Sequence, residues 1–516
     1  MKKKGRFIGI ILIIMLVLCG LLFMVESRAE DSSIRSIWDA LWYMIVTLTT
    51  VGYGDLYPVT VTGKIIGIFF VLASMGMLGA ILATMIAIFN SNVIPALYLK
   101  LHRNEEWYVF SELNDKTITL INDLKSSHNG LFICLGENQD NEDDGILRIN
   151  YSLEKIISLI SDRAKLYLFF MKDCDNDYVN YSEYFSFCSD HILDNELPFH
   201  CYCLTEYVPE EIPVNLILFN KYENVSRLYW NTFPLRSDAG EDEKIVIIGS
   251  GKFSSYILER ALMGNVIRAV QNVEYHMFGD FDNFISEHYR LGEYFSMGKK
   301  DAKKDSLFFH GDSWMEQRQI LENASRIIIC DDDEKLNLMV LSRLRKYFVL
   351  KNPDRLLHVL FTKKITDPGV ETFGELKDVY SEEYVLKEKL SRIARDMHSV
   401  YLIENKGAKE WNRLSEFKRQ SNLAVADHMD IKFKLLNATS AGNAYSKYTE
   451  LTETEKLNLW NLEHERWQRF HVVNNWHYAA VRNDAVREHN LMVPFESLPY
   501  EEQKKDAYAW ELMSKM

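Results

Sequence analysis

Along its hydrophobic and polar positions the chain changes rhythm three times. Phe7 to Val25 is an unbroken apolar run of 19 residues, and Ile65 to Phe89 is a second apolar stretch. As a helix the first would be about 28 Å long, close to one hydrocarbon thickness. Between them, Ser36 to Thr49 reads as a short amphipathic helix carrying Trp38, Trp42 and Tyr43, too short to span. Beyond Asn90, apolar β-rich runs alternate with helical patterns. One set reads WYVFSE, GLFICLGEN, KLYLFFMKD, FHCYCLTE and VNLILFN; the next reads KIVIIGS, VEYHMFGD, SLFFHGD, RIIICDDDEKLN and LLHVLFTKK. Such alternation predicts two α/β modules built on buried parallel strands. Near residue 380 the β-rich rhythm stops, and EEYVLKEKLSRIARDMHSVYL reads as one amphipathic helix. The expected layout is a helical domain over 1–98, Rossmann-like α/β modules over 107–236 and 243–378, and a mostly helical module over 380–516. Within the first, spans are expected at 7–25 and 63–90, with the short helix at 36–49.

Composition narrows this picture. With 47% hydrophobic and 26% charged residues among 516, most of the chain is ordinary globular protein. A net charge of -14 argues against nucleic acid as a partner, which requires a basic face. The seven cysteines show no paired CxxC spacing and read as reduced thiols, with Cys201 and Cys203 sharing one strand face. Lys2, Lys3, Lys4 and Arg6 precede the first apolar run and favour a cytoplasmic N-terminus. A secretory leader is the competing reading, but no small-x-small cleavage site follows. Two spans return the chain to the cytoplasm, so both termini are expected there, with the protein in the cell (inner) membrane and in contact with lipid.

Between the apolar runs lies TLTTVGYGDLYP, residues 47–58. Glycine admits φ > 0, so alternating conformations can turn successive carbonyls to one side and replace a cation's water shell. Thr50-Val51-Gly52-Tyr53-Gly54-Asp55, behind an aromatic half-helix and between two spans, resembles the potassium-channel pore family. The resemblance implies a K⁺ selectivity filter, with Thr50, Val51, Gly52 and Tyr53 supplying carbonyls and Asp55 at the outer mouth. Trp42 and Tyr43 match its aromatic cuff, while Val46 stands where some relatives carry a glutamate that pairs with the aspartate. It also implies a homotetramer, since four copies close such a filter. Gly76 and Gly79 are candidate gating hinges, or else places where helices pack closely. No span carries arginine at every third position, so no voltage sensor is expected.

In the second α/β module the strand KIVII runs into Gly249-x-Gly251-x-x-Ser254, one glycine short of the dinucleotide fingerprint. Asp280, Asp312 and Asp331 stand at strand carboxyl ends, where α/β sheets hold ligands. The first module's turn, Ser111-Glu112-Leu113-Asn114, has no glycine and reads as structural. Two such modules behind a pore resemble the RCK (regulator of K⁺ conductance) architecture, in which eight modules form a gating ring. That implies NAD or another nucleotide at Gly249 to Ser254, or a ring interface that has lost its ligand. Ca²⁺ ranks behind: Asp173, Asp175 and Asp177 have EF-hand spacing, but Tyr178 and Tyr184 fill positions needing Gly and Glu, and Asp140 to Asp144 reads as a polar loop.

In the tail, Thr452 and Glu455 make a capping box opening an aromatic-rich helix. His464-Glu465 lacks the second histidine of a zinc protease, because position 468 is Gln. Glu463-His464-Glu465-Arg466-Trp467, Trp476-x-Tyr478, Arg482-Asn483-Asp484, His489 and Val493-Pro494-Phe495 resemble the ryanodine-receptor (RyR) repeat. Asn475 and Asn490 depart from its usual Gly and Pro. The resemblance implies a ligand pocket from His464, Trp467, Trp476, Tyr478, Arg482, Asp484 and His489, able to stack a base and neutralise a phosphate. The alternative is that these aromatics form the module's core. The combined expectation is a non-enzymatic, K⁺-selective channel gated by a cytoplasmic nucleotide such as NAD, ATP or a cyclic nucleotide. Ca²⁺ or another ion acting at the ring, with the RyR module used for assembly, is one alternative. A membrane-tethered NAD-linked oxidoreductase is another.

Overall fold

A computed structural model describes residues 2–89, 93–136, 145–160, 164–173, 178–191, 199–236, 243–348 and 357–515. The chain forms two compact units, residues 1–103 with 157–160, and residues 104–156 with 161–516.

The first unit holds α1 (Lys2–Glu26), α2 (Ile37–Leu48) and α3 (Val61–Ile88), followed by the short helix α4 (Ile94–Leu101). The Ser36 side chain caps α2 and Asp39 closes a reciprocal capping box, while Thr60 caps α3. Leu22, Ala40, Met44, Ile66 and Phe70 pack where the helices meet. The Glu26 carboxylate is fully buried and accepts from the Ser32 hydroxyl and from the Val59 and Thr60 amides. It thereby ties the end of α1 to the start of α3. Among the described residues no helix is long and apolar enough to cross a membrane. Described side chains begin at Ile14 in α1 and run unbroken in α3 only to Gly76, so the expected spans at 7–25 and 63–90 lie partly outside them. Where they are described, the outward faces are apolar: Leu16, Val17, Ile68, Phe69, Leu72 and Met75 are all exposed.

The second unit contains two parallel sheets of one design. The first comprises β1 (Trp107–Phe110), β2 (Leu131–Leu135), β3 (Leu147–Ile149), β4 (Leu166–Phe170), β5 (Phe199–Leu204) and β6 (Leu216–Phe219), in the order β3-β2-β1-β4-β5-β6. The second comprises β7 (Lys244–Ile248), β8 (Glu274–Phe278), β9 (Ser296–Met297), β10 (Ser306–His310), β11 (Arg326–Ile329), β12 (Leu357–Leu360) and β13 (Val370–Phe373), in the order β13-β12-β11-β7-β8-β10-β9. Without the short edge strand β9, both follow the doubly wound order of Rossmann-like folds. Burial on both faces explains their continuous apolar runs. The helices Lys221–Thr232 and Lys252–Gly264 join the modules, with Trp230 Nε1 donating to Ile257 O at 2.9 Å and Asn220 Nδ2 to the Tyr256 hydroxyl at 2.9 Å.

The stretch 382–402 is not one helix. Glu382–Val385 is a short turn, Glu388 takes φ +44°, and a new helix runs Lys389–Glu404. The break serves two attachments. Glu382 accepts from the Ser127 hydroxyl at 2.7 Å on the first module, whereas Ala394 and Met397 enter the C-terminal core. That core also buries Leu423, Met429, Tyr448, Trp460 and Trp510. The long C-terminal helix, Glu453–Val473, starts at the Thr452–Glu455 capping box.

Candidate functional sites

The loop after α2 is the most constrained backbone in the first unit. The amides of Val51 and Gly52 both donate to Val46 O, at 3.0 and 3.3 Å, and so fold the chain back beneath the helix end. From there φ alternates in sign: Thr50, Gly52 and Gly54 are at +61°, +58° and +76°, whereas Val51 and Tyr53 are not positive. A Cβ at Gly52 or Gly54 would meet nothing within 4 Å, so the glycines are needed for φ and not for space. Thr50 is β-branched, and holding it left-handed costs about 1–3 kcal/mol. Trp42 secures the segment: its ring stacks on Tyr53 with 6.1 Å between centroids, and its Nε1 donates to Asp55 Oδ2 at 3.0 Å. Asp55 thus has an indole N–H as partner where Val46 cannot serve. Gly76 and Gly79 have open space around them.

The turn after β7 gathers its glycines and its acids. Gly249 passes so close to β11 that a Cβ would lie 2.5 Å from the Asp331 amide. Gly251, at φ +96°, precedes the helix Lys252–Gly264. Ser254 is buried, with its hydroxyl on Gly251 O at 3.0 Å. Asp331 accepts the Ser250 amide at 2.9 Å, and Asp280 is exposed beside the Ser250 hydroxyl. Asp312 accepts from Gln317 Nε2. Asp332, which follows the strand-end Asp331, belongs to the same turn, because its carboxylate takes the Lys252 and Phe253 amides at 3.0 and 2.9 Å.

Between the helices Lys389–Glu404 and Glu416–Asp427 and the tail lies a cleft of about 760 Å³. His464, Trp467, Arg482 and His489 line it. Trp476 lies behind its wall, buried and stacked on Phe417 at 5.1 Å, while Tyr478 and Asp484 are exposed and not among the lining residues. Arg482 holds Asp484 in an exposed ion pair at 2.6 Å. The aromatic wall is Trp467 with His471 and His489, at 4.0 and 4.9 Å between centroids. Burial holds both histidines neutral, lowering His471 to about 3 and His489 to about 4. His489 Nδ1 accepts the Leu491 amide at 3.1 Å, which leaves its other ring nitrogen as the donor. For His464, burial works against protonation, but Asp506 at 3.3 Å outweighs it and raises the pKa. At the cleft's edge Arg466 pairs with Glu463 at 2.7 Å, and its buried Nη1 has no hydrogen-bond partner.

The long C-terminal helix turns two faces. His464, Trp467 and His471 face the cleft. Glu465, Arg469 and Val473 meet the second module: Glu465 accepts from the Tyr294 hydroxyl, Arg469 pairs with the fully buried Asp305, and Val473 O lies 2.6 Å from His288 Nδ1. Asn475, which follows, adopts φ +60°, the conformation its usual glycine would supply.

Residues 10–91 match the family model described as ion channel. A stretch of 67 residues is 43% identical to human potassium voltage-gated channel subfamily A member 6, covering 13% of this chain and 13% of that protein. A stretch of 73 residues is 41% identical to the voltage-gated potassium channel of Aeropyrum pernix, covering 14% of this chain and 25% of that one. The chain therefore spans only a minor part of the length of these relatives. Similar solved structures include the GsuK channel, with TM-score 0.31 and 15% identity over 73% of this chain and 95% of that one. Another is the GsuK channel bound to NAD, with TM-score 0.31 and 14% identity over 78% and 85%. Scores of this size do not establish a shared fold. Residues 10–91 are thus similar to the ion-channel domains of potassium channels, and Rossmann-like modules follow them in the chain.

Several residues had no signal in the sequence. Glu26, Asp332 and Asp506 act on groups 33, 80 and 42 residues away, on Val59, Lys252 and His464. Only the fold brings each pair together. Among the described residues no group of three or more His, Cys, Asp or Glu is placed to hold a metal ion. Asp140 to Asp144, Asp175 and Asp177 lie outside the described residues.

Proposed function

We propose that the protein is a tetrameric, K⁺-selective channel of the cell membrane, gated by a nucleotide-type ligand in the C-terminal cleft. The observation that carries the pore reading is the sign alternation of φ from Thr50 to Gly54 behind a capped aromatic half-helix. In this reading Thr50, Val51, Gly52 and Tyr53 present carbonyls to K⁺ and Asp55 marks the outer mouth. The exposed apolar faces of α1 and α3 support lipid and neighbouring subunits as their cover. Gly76 and Gly79, with open space around them, are the proposed hinges. Both termini are cytoplasmic.

The ligand reading rests on the cleft, which we take as the pocket of an RyR-repeat module. Its volume of about 760 Å³ suits a drug-sized molecule. Trp467 and His489 offer ring faces to a base, and Arg482 with the unpaired Arg466 N–H offers charge to a phosphate. The two-faced helix connects this cleft to the second module through Arg469 and Asp305. A ligand that binds one arrangement of this helix more tightly biases gating by about 1–3 kcal/mol per site.

Single-channel recording of the reconstituted protein tests both parts. K⁺ should pass in strong preference to Na⁺, and open probability should respond to a member of a panel of NAD, ATP and cyclic nucleotides applied on the C-terminal side. The response should disappear in Trp467→Ala/Arg482→Ala while conductance is unchanged. Equal Na⁺ and K⁺ currents would sink the pore reading. A response to Ca²⁺ with none to any nucleotide would sink the ligand reading.

A further inference from the structure

A doubly wound sheet with Gly249 and Gly251 after its first strand implies a dinucleotide, whose phosphates would rest on the first amides of the following helix. The residues present do not fit one. The Lys252 and Phe253 amides are taken by the two oxygens of Asp332, and the Ser250 amide is taken by Asp331. A Cβ built on Gly251 would lie 2.4 Å from Asp332 Oδ2, so the room that glycine leaves for a phosphate is held by this carboxylate. Lys252, the first residue of that helix, offers no compensation, since its Nζ is paired with Glu206 at 2.7 Å. A phosphate arriving here would meet two carboxylates and find those three amides already engaged.

We propose that Asp332 is a built-in substitute for the ligand phosphate, closing the second Rossmann-like turn to nucleotides. Gly251 is kept to admit this carboxylate, and the turn serves to lock β7 to β11. Nucleotide recognition by the full chain then excludes this turn, whatever the C-terminal cleft binds.

The full-length protein carrying Trp467→Ala/Arg482→Ala, which disables the cleft, is titrated calorimetrically with ADP and with NAD. No saturable binding is expected. Binding that Gly251→Val abolishes would show that the turn accepts a phosphate despite Asp332, and would overturn the proposal. In the same background, Asp332→Ala should lower Tm by about 2–4 °C, and inorganic phosphate should recover at least about half of that loss. With Asp332 intact, phosphate should leave Tm where it was. Asp332→Asn, which keeps the shape and loses the charge, should respond to phosphate in the same direction and covers the case in which the alanine variant fails to fold. If phosphate stabilises neither variant more than the protein with Asp332 intact, the seat is not a phosphate seat and the proposal fails.

Discussion

The two Rossmann-like modules share one strand order and solve the same problem in opposite ways. In each, the helix after the first strand begins with amides that need acceptors. In the first module the answer is local: Asn114, at the helix N-cap, accepts from Lys116 and Thr117 at 3.1 and 3.0 Å. In the second, Gly251 has no side chain to offer and the acceptor is Asp332, from beyond another strand. A turn made from its own residues survives changes elsewhere. A turn completed from a distant segment reports on the whole sheet, and that makes the second module the more sensitive one.

The largest expected effect is acid lability of the second sheet. Burial lowers His276 on β8 to about 4 and His358 on β12 to about 3, against an ordinary value of about 6.5. Because these folded-state values are depressed, the unfolded chain binds more protons, and stability falls as pH drops from about 6.5 towards 4 and 3. Each ring costs about 1.4 kcal/mol per pH unit in that window, so the two together remove about 5 kcal/mol by pH 4.5. His471 and His489, lowered in the same way, add to this slope, so urea midpoints from pH 7.5 to 4.5 should fall more steeply still, and His276→Asn/His358→Phe should make the slope shallower by the share of these two rings. An unchanged slope in that variant would place the lability elsewhere and remove this contrast.

Next in size is the attachment of each module to the C-terminal helices, which uses one arginine–aspartate pair apiece. Arg469 meets Asp305, and both side chains are buried. Arg227 meets Asp427 at 2.7 Å but also has Leu390 O and, at 3.7 Å, Glu223. Asp305→Ala leaves a buried guanidinium without its carboxylate and should cost about 3–5 kcal/mol. Asp427→Ala leaves Arg227 with its other partners and should cost less than half as much. Chemical denaturation of the two variants gives the ordering directly, and the reverse ordering would contradict the view that Arg469 is the less well backed of the two arginines.

How much of this was legible in the sequence follows the same division between local and distant. The interior strands were visible because a strand covered on both faces needs an unbroken apolar run. The edge strands β3, β9 and β13 (LRI, SM and VETF) were missed, since half-covered strands of two to four residues carry no such run. The pore loop was readable as a motif because its requirement, φ > 0 at every second residue, is met by the residues themselves. The cleft was readable by half. His464, Trp467, Arg482 and His489 lie within 26 positions of one another, whereas Lys409, Lys418 and Asp506 arrive from other segments. The departure at Asn475 left the turn geometry open, and asparagine's tolerance of the left-handed region resolves it.

The smallest effect discriminates most sharply between the two turns. Asn114→Ala removes the acceptor of two amides and also the donor to Met171 O at 2.8 Å, so a cost of about 2 kcal/mol is expected. Asp332→Ala removes only a solvent-exposed acceptor at a helix start, and about 1 kcal/mol is expected. The two losses should also differ in kind. The Asp332 seat faces a glycine, so a small anion can re-enter it, and added phosphate should restore part of the lost stability. The first turn has side chains at every position from Ser111 to Asn114, and no anion can approach its amides as closely. Phosphate should therefore leave Asn114→Ala unrescued. Thermal melts of both variants with and without phosphate decide this, and equal rescue would mean that backbone access does not separate the two turns.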